Sequence, residues 1–316
     1  MKSKYGIKMI DSKIIDWLLE GDISIQYQTY KNLKDIEKPS LRKRIETEGW
    51  GLQFLSLRNP VGHWGRSFYQ PKWISTHYTL LDLKYLNISP KNLLINETLN
   101  YIFKNLKGPD GGILPIGTVK KSDVCINGMV LNYASYFKVN EEWLKSVVDF
   151  LLSEKMNDGG FNCQSNRKGA KHSSLHTTLS VLEGILEYEN NGYNYRLNEL
   201  KNIKLLAQEF ILMHHLFRSD KTGAIINPNF LKICYPPRWY YDILKAMDYF
   251  QFAKVKYDKR MEEAIEIIKS KRNKEGLWKL PSGHPGQVHF KMEQPGKPSR
   301  WNTLRALRVL KYYDNC

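Results

Sequence analysis

The sequence predicts an all-α protein built as an (α/α)6 toroid, in which six inner helices surround a central cavity and about six outer helices surround them. Three observations predict this fold. A short motif recurs six times along the 316 residues, longer amphipathic segments separate its copies, and few alternating β-branched runs compete for a sheet. We expect a single domain that spans residues 1–316.

The repeated motif predicts the inner helices. Six segments align in one register, and the residue six positions after the second one is apolar in every copy. Each second residue lies near the predicted start of an inner helix, so all six are expected at the same end of the cavity. These second residues are Tyr27, His77, Cys125, His176, Tyr241 and Trp301.

The segments between the motifs predict the outer helices. In the ranges 92–106, 140–155 and 258–272, apolar residues recur every three or four positions, which is typical of an amphipathic helix. Glycine turns follow such segments, most clearly at Asp110-Gly111-Gly112 and Asp158-Gly159-Gly160. Glycine ends a helix there and permits a positive φ. The repeating unit is therefore outer helix, glycine turn, loop and inner helix.

The composition excludes several classes of protein. Hydrophobic residues make up 42% of the chain, and no segment approaches 18 uncharged apolar residues, so we expect neither a signal peptide nor a transmembrane segment. The net charge of +16 would attract anions such as diphosphates, which leaves association with an anionic membrane surface open. The lysines are dispersed and no nucleic-acid-binding motif occurs, so we expect no nucleic-acid partner. Four widely spaced cysteines indicate the reducing cytoplasm.

With these features the chain resembles the terpenoid cyclase and protein prenyltransferase superfamily of α/α toroids, especially bacterial squalene-cyclase-like or prenyltransferase-like proteins. The resemblance covers most of the chain. It rests on the turns DGGI, DGGF and EGLW, on the run from 158 to 186, and on the closing segments PPRWYYDILKAMDYF and PSRWNTLRALRVLKYY. The Asp-x-Asp-Asp acid motif of the cyclases is absent from the sequence.

The resemblance implies a zinc site and a diphosphate site. Asp123 and Cys125 match the Asp-x-Cys of the prenyltransferases, and His176 matches a histidine on the next inner helix, so these three are the expected Zn²⁺ ligands. Three protein ligands with an open fourth position are typical of catalytic zinc. Lys120 matches a lysine that helps to bind the prenyl diphosphate, whereas Gly117 stands where the family has an arginine. The alternative ligands are Cys163, His172 and His77.

Aromatic and basic residues near the starts of the inner helices are the candidate substrate-binding residues. Aromatic faces suit an isoprenoid chain or stabilise a carbocation, and an arginine can clamp a phosphate or carboxylate. Ordinary packing is the competing interpretation of each residue. The candidates are Tyr78, Trp239, Tyr241, Trp301, Arg238 and Arg300. Glu293 is a candidate acid or a partner of Arg300.

The expected function is that of a zinc-containing, prenyltransferase- or terpenoid-cyclase-like protein that acts on or binds a hydrophobic, isoprenoid-type molecule; no catalytic residue is assigned. One alternative is a cyclase-like enzyme with a different acid. Another is a non-catalytic toroid with structural zinc that binds a lipid or a protein partner. A carbohydrate-active α/α barrel is the last alternative. It would require paired carboxylates facing the cavity, and the sequence contains no convincing pair.

Overall fold

The computed structural model describes residues 10–164 and 168–313. Over these ranges the chain is mostly helical and contains no β-strand, only isolated β-bridges. The prediction of an all-α protein is therefore confirmed. Within the same ranges, no helix combines the length and the apolar character needed to cross a membrane.

The helices follow each other closely along the chain. In order they are α1 (Ser12–Leu19), α2 (Ile23–Gln28), α3 (Pro39–Arg44), α4 (Gly49–Ser56), α5 (Thr76–Tyr85), α6 (Leu93–Asn105), α7 (Val124–Tyr136), α8 (Glu141–Ser153), α9 (Leu175–Asn190), α10 (Leu197–Met213), α11 (Ile243–Phe252), α12 (Glu262–Ser270) and α13 (Arg300–Tyr313). Helix α2 continues as a π-helix over Thr29–Leu33.

Two kinds of helix alternate along most of the chain. Helices α2, α5, α7, α9, α11 and α13 are buried on nearly all sides; in α7, for example, every residue from 126 to 135 is buried. Helices α6, α8 and α12 bury only one face, as the three- and four-residue spacing of their apolar residues predicts. The buried helices are those that begin at or near the repeated motif.

Each buried helix packs against the next buried helix along the chain. Helix α5 contacts α7, α7 contacts α9, α9 contacts α11, and α11 contacts α13. Helix α13 contacts α2, and the side-chain amide of Gln28 in α2 donates a hydrogen bond of 2.9 Å to the carbonyl oxygen of Tyr85 in α5. Each of the six buried helices thus contacts at least one other buried helix.

The aspartates of the two DGG turns attach the end of an outer helix to the start of a buried one. Asp110 accepts hydrogen bonds from the backbone N–H and the hydroxyl of Ser122, at 2.7 and 2.8 Å, just before α7. Asp158 accepts the same two bonds from Ser173 just before α9. Gly111 and Gly159 have φ values of +87° and +91°, which favour glycine. The Asp-Gly-Gly motif thus forms a turn that positions the starts of α7 and α9.

Helices α7 and α9 cross closely at Gly128. A Cβ atom on Gly128 would lie 2.8 Å from the carbonyl carbon of Ser180 and from the Cα atom of Val181. Because the obstacles are backbone atoms of α9, the helices would have to separate to admit a methyl group. We expect Gly128→Ala to lower the free energy of unfolding by about 1–3 kcal/mol, measured by urea denaturation.

Gly117→Ala is the matched control for this substitution. Gly117 has no atom within 4 Å of an added Cβ, so the same change should alter stability little. Equal effects of the two substitutions would show that the close crossing of α7 and α9 is not the cause.

Candidate functional site

Most of the motif residues lie together at the N-terminal ends of the buried helices. His77, Cys125, His176 and Trp301 are each the second residue of their helix. Tyr27 lies deeper, as the fifth residue of α2, and Tyr241 precedes α11 by two residues. Most of the motif residues predicted from the sequence therefore lie at one end of the buried helices.

Cys125 lies against Cys163 rather than against His176. The backbone N–H of Cys125 donates to Sγ of Cys163 over 2.9 Å, and the hydroxyl of Thr177 donates to the same sulfur over 3.5 Å. A hydrogen bond from the Cys125 thiol lowers the pKa of Cys163, and the same bond, together with burial, raises the pKa of Cys125. Both cysteines are free thiols, and Asp123 lies directly before α7.

His176 is surrounded by aromatic rings. Its Nδ1 accepts a hydrogen bond of 2.8 Å from the backbone N–H of Tyr241, and the rings of Phe230 and Trp239 lie 5.1 and 5.0 Å away. Burial lowers the pKa of His176 to about 4, so the imidazole is neutral at physiological pH. The accepting Nδ1 places the proton on Nε2.

Over the ranges 10–164 and 168–313, no three His, Cys, Asp or Glu side chains form a group that could hold a metal ion. Zn²⁺ binding by Asp123, Cys125 and His176 stays a prediction. It would have to use Nε2 of His176, because Nδ1 is engaged by the backbone of Tyr241. His77 is fully buried, and His172 is exposed in the loop before α9.

Six rings form what we call the aromatic cluster at this end of the buried helices: Tyr69, Trp73, Tyr78, Trp239, Tyr240 and His284. Tyr240 stacks between Trp239 and His284, with ring centroids 4.0 and 3.7 Å apart. Trp73 lies edge-on to Tyr78 at 4.9 Å. Lys72 is exposed, and its Nζ lies 4.9 Å from the ring of Trp73 and 5.1 Å from that of Trp239.

The imidazole of His284 has unused hydrogen-bonding capacity. Its Nε2 atom is buried and has no hydrogen-bond partner among the residues that the structure describes. Burial and, to a smaller extent, the charges of Arg238, Lys245 and Lys72 together lower the pKa of His284 to about 4. His284 is therefore a neutral imidazole with a nitrogen that a bound molecule could engage.

A cavity of about 240 Å³, here the smaller cavity, adjoins the aromatic cluster. Its wall includes Trp73, Tyr235, Arg238, His284 and His289. The hydroxyl of Thr79 donates to the carbonyl of Ser75, so its oxygen accepts from Nε2–H of His289 over 2.9 Å. Burial also lowers the pKa of His289 to about 4. Two neutral imidazoles thus face the same space.

Arg238 is fixed beneath the aromatic cluster. It is 6% exposed and forms an ion pair with the buried Asp82 of α5. Its guanidinium lies 5.7 Å from the ring centroid of Trp73 and 6.0 Å from that of Tyr78. The carbonyl of Arg238 accepts from Nζ of Lys245 over 3.2 Å, so both ends of this residue are held. It supplies a positive charge at a defined position.

The other candidates from the sequence lie at different places. Arg300 donates to the carbonyl of Trp17 in α1 over 2.9 Å, and Glu293 accepts from the backbone N–H of Arg300 over 2.6 Å, which caps α13. Lys120 is exposed in the loop before α7. The hydroxyl of Tyr241 donates to the carbonyl of Leu216. These contacts give Glu293 and Tyr241 a structural role.

A second space of about 380 Å³, the larger cavity, lies on the opposite side of segment 235–238. Its wall is formed mainly by the C-terminal halves of buried helices, with Tyr85, Glu187, Tyr249, Trp301, Arg305 and Arg308 among the residues that line it. Trp301 lies at the predicted N-terminal end of α13, but its side chain stacks on Tyr235 with centroids 4.5 Å apart and lines this larger cavity.

Comparisons with known proteins reveal similarity in structure but not in sequence. No family model matches the sequence, and no curated protein matches it. The structure is similar to a solved polysaccharide lyase, with a TM-score of 0.53 and 12% sequence identity, over 95% of this chain and 96% of that chain. At that identity the similarity concerns the fold alone.

The expected relationship to terpenoid cyclases and protein prenyltransferases is therefore wrong. The similarity is to a polysaccharide lyase, and the described residues contain no group that could hold a metal ion, so the zinc-containing prenyltransferase- or cyclase-like function is wrong as well. The DGG turns that carried the resemblance bind the serines before α7 and α9. In this chain the two turns thus have a structural role that is independent of zinc or prenyl chemistry.

The residues that the sequence did not single out are His284, Lys72, Tyr69 and Asp82. His284 lies in an irregular segment between α12 and α13 that has no periodicity. Lys72 and Tyr69 precede α5, outside the repeated motif. Asp82 is a charged residue within a fully buried helix, and this mismatch was a signal available in the sequence, since buried carboxylates require partners.

Proposed function

We propose that this chain is an enzyme that cleaves an acidic polysaccharide by β-elimination, with the substrate bound over the aromatic cluster. The observation that carries the proposal is the unpartnered, neutral His284 placed between a stacking surface and two cations, Lys72 and Arg238. The net charge of +16 favours a polyanionic substrate. The similarity of the fold to that of a polysaccharide lyase also supports this class of reaction.

Each step of an elimination has a residue suited to it. A base removes the proton from the carbon next to a uronate carboxylate, and we assign His284 to this step, because a neutral imidazole can accept a proton. Negative charge then spreads onto the carboxylate, where Lys72 and Arg238 would stabilise it. The bond to the glycosidic oxygen breaks, and the proton of the Tyr240 hydroxyl would pass to that oxygen. Atoms and charge balance without a metal ion or an oxidant.

The proposal includes the finer architecture. We infer that the six buried helices form one ring within a single domain, because their pairwise contacts run from α2 to α13 and back to α2. In such a ring the N-terminal ends of all six helices lie at one mouth. The aromatic cluster, which joins residues from before α5, from its first turn, from before α11 and from before α13, would then cover that mouth.

Hydrolysis is less well supported at this mouth. It would require two carboxyl groups facing the scissile bond. Two carboxyl groups near the aromatic cluster and the smaller cavity are engaged: Asp82 pairs with Arg238, and Glu293 caps α13 through Ser299, Arg300 and Trp301. Elimination uses a histidine and a tyrosine instead, and both are present here.

The direct test is incubation of the purified protein with a panel of uronate-containing polysaccharides and one neutral polysaccharide. Elimination creates a carbon–carbon double bond conjugated to the carboxylate, which absorbs in the ultraviolet. We expect the absorbance to rise with at least one uronate polymer and not with the neutral polymer. New reducing ends without ultraviolet absorbance would indicate hydrolysis and contradict the proposal.

The pH profile of kcat/KM provides a separate prediction. A base works when it is neutral, and burial places the pKa of His284 at about 4. The rate should therefore stay level on the acid side down to about pH 5 and fall about tenfold per pH unit below the pKa. An acid limb centred near the ordinary histidine pKa of about 6.5 would contradict the assignment of a buried His284 as the base.

A further inference from the structure

We propose that the larger cavity is a second binding site, which takes a single uronate sugar at the end of the buried helices opposite to the aromatic cluster. This inference goes beyond the proposed function, because it depends on the larger cavity alone. Its volume of about 380 Å³ falls within the range of about 300–1,000 Å³ that is usual for small-molecule sites. That volume suits a monosaccharide with its bound water rather than a polymer chain.

The larger cavity is separated from the aromatic cluster by a rigid part of the chain. Segment 235–238 contributes Pro237 to its wall, Arg238 to the wall of the smaller cavity, and Tyr235 to both walls. The segment is held on both sides: the carbonyl of Cys234 accepts from Arg305, and Arg238 is bound to Asp82. A ligand in the larger cavity would thus occupy a site of its own.

Alternating ion pairs give the wall of the larger cavity both donors and acceptors. Lys84 pairs with Glu187 at 2.8 Å and Lys245 with Glu183 at 3.3 Å, so ammonium and carboxylate groups lie side by side. Side-chain amides, among them Asn190, add further donors and acceptors. A sugar hydroxyl both donates and accepts, and it finds both kinds of partner here. A bare inorganic anion would use the donors only.

The charge of the wall limits the charge of the ligand. Five cationic side chains line the larger cavity (Lys31, Lys84, Lys245, Arg305, Arg308) against three carboxylates (Glu183, Glu187, Asp248), and Lys31 also pairs with Glu37 outside that wall, so an excess of one positive charge is left. The C-terminal ends of several buried helices lie at the same cavity, and each adds a partial negative charge. Arg305 and Arg308 share the single carboxylate of Asp248, and this local excess of positive charge suits one carboxylate on an otherwise neutral molecule.

The indole of Trp301 gives a further indication of a ligand. Its Nε1 atom is buried and has no hydrogen-bond partner within residues 10–164 and 168–313, and the side chain lines the larger cavity. A buried donor without an acceptor costs roughly 1–3 kcal/mol, which a ligand oxygen would recover.

The test is isothermal titration calorimetry of the full chain with three probes: glucuronate, glucose and inorganic sulfate. Glucuronate is expected to bind at least about tenfold more tightly than glucose, because of its carboxylate, and more tightly than sulfate, because of its hydroxyls. Sulfate binding as tight as that of glucuronate would overturn the sugar assignment. Equal binding of glucose would overturn the charge argument.

Variants locate the site. Leu186 is buried in the wall of the larger cavity, and Leu186→Trp should fill the cavity and abolish glucuronate binding, whereas Leu206→Trp on the exposed face of α10 should not. Asn190→Asp is a milder second variant at an exposed position; its added negative charge should weaken glucuronate binding and spare glucose. Persistent glucuronate binding in both wall variants would overturn the proposal.

A variant of the aromatic cluster separates this site from the proposed enzyme. His284→Ala should retain glucuronate binding with unchanged affinity, since His284 lies beyond segment 235–238. Loss of binding in this variant would place the sugar at the aromatic cluster and overturn the second site. Retained binding without any elimination activity in the wild-type protein would contradict the proposed function and leave the second site intact.

Discussion

Replacing His284 with alanine is expected to lower kcat/KM for elimination of a uronate polymer by about 10²–10⁴-fold, the usual contribution of a positioned general base. The imidazole has a buried nitrogen without a partner among the described residues, so its removal breaks no hydrogen bond of that nitrogen. The protein should therefore stay folded, and its melting temperature should change little. The loss should fall mainly on kcat, because the proton is transferred in the transition state.

Two further variants make the test of His284 specific. Tyr240→Phe keeps the ring that stacks on His284 and removes the hydroxyl, so kcat should fall while the affinity for the polymer stays the same. His215→Asn serves as the matched control, since His215 is an exposed histidine after α10 and its asparagine replacement tolerates the positive φ at that position. An active His284→Ala enzyme, or an equal loss in His215→Asn, would rule out His284 as the base.

The helices could be predicted from the sequence because burial follows local periodicity. The six copies of the motif lie at or near the starts of the buried helices, and the range 92–106 corresponds to helix α6, Leu93–Asn105. His284 and its surroundings could not be predicted in this way. It lies in an irregular segment, and its partner Tyr240 is contributed by another loop. Contacts of this kind depend on how loops fold over the helix ends, and periodicity carries no information about that.

The predicted site residues illustrate the same limit. The alignment of the six motif copies correctly placed Cys125 and His176 at corresponding positions of α7 and α9. Corresponding positions in two helices do not, however, fix the direction of the side chains. Cys125 lies against Cys163, and His176 is taken up by the backbone of Tyr241. Arg238 was expected to hold a phosphate or carboxylate, yet its partner Asp82 stands 156 residues earlier in the chain, a separation that no local pattern reveals.

The ion pair of Arg238 with Asp82 is expected to be the most sensitive point of the fold. Both side chains are less than a tenth exposed, at 7% and 4%. Arg238→Met would leave a buried carboxylate without its cation and should lower the free energy of unfolding by about 3–5 kcal/mol, measured by urea denaturation. The double variant Arg238→Met/Asp82→Leu should lose less than Arg238→Met alone, because no charge is then left unpaired.

An exposed ion pair provides the matched control for Arg238→Met. Arg260 donates to Glu209 over 2.6 Å at the surface, where solvent screens the attraction. Arg260→Met should therefore cost about 1 kcal/mol or less. Equal losses in the two arginine variants would mean that burial does not set the importance of the Arg238 pair.

The pH dependence of the Arg238→Met variant follows from the position of Asp82. Burial raises the pKa of this carboxyl in the folded protein, and Arg238 opposes that rise. Without the arginine the folded-state pKa lies further above the unfolded value of about 3.9, so the folded state binds the proton more tightly. The variant is then most stable below the unfolded pKa and loses stability as pH rises through the folded pKa. The stability gap to wild type should accordingly widen as pH rises from the wild-type folded pKa of Asp82 towards the higher folded pKa of the variant, and a gap that stays constant from acid to neutral pH would show that Asp82 does not titrate when Arg238 is removed.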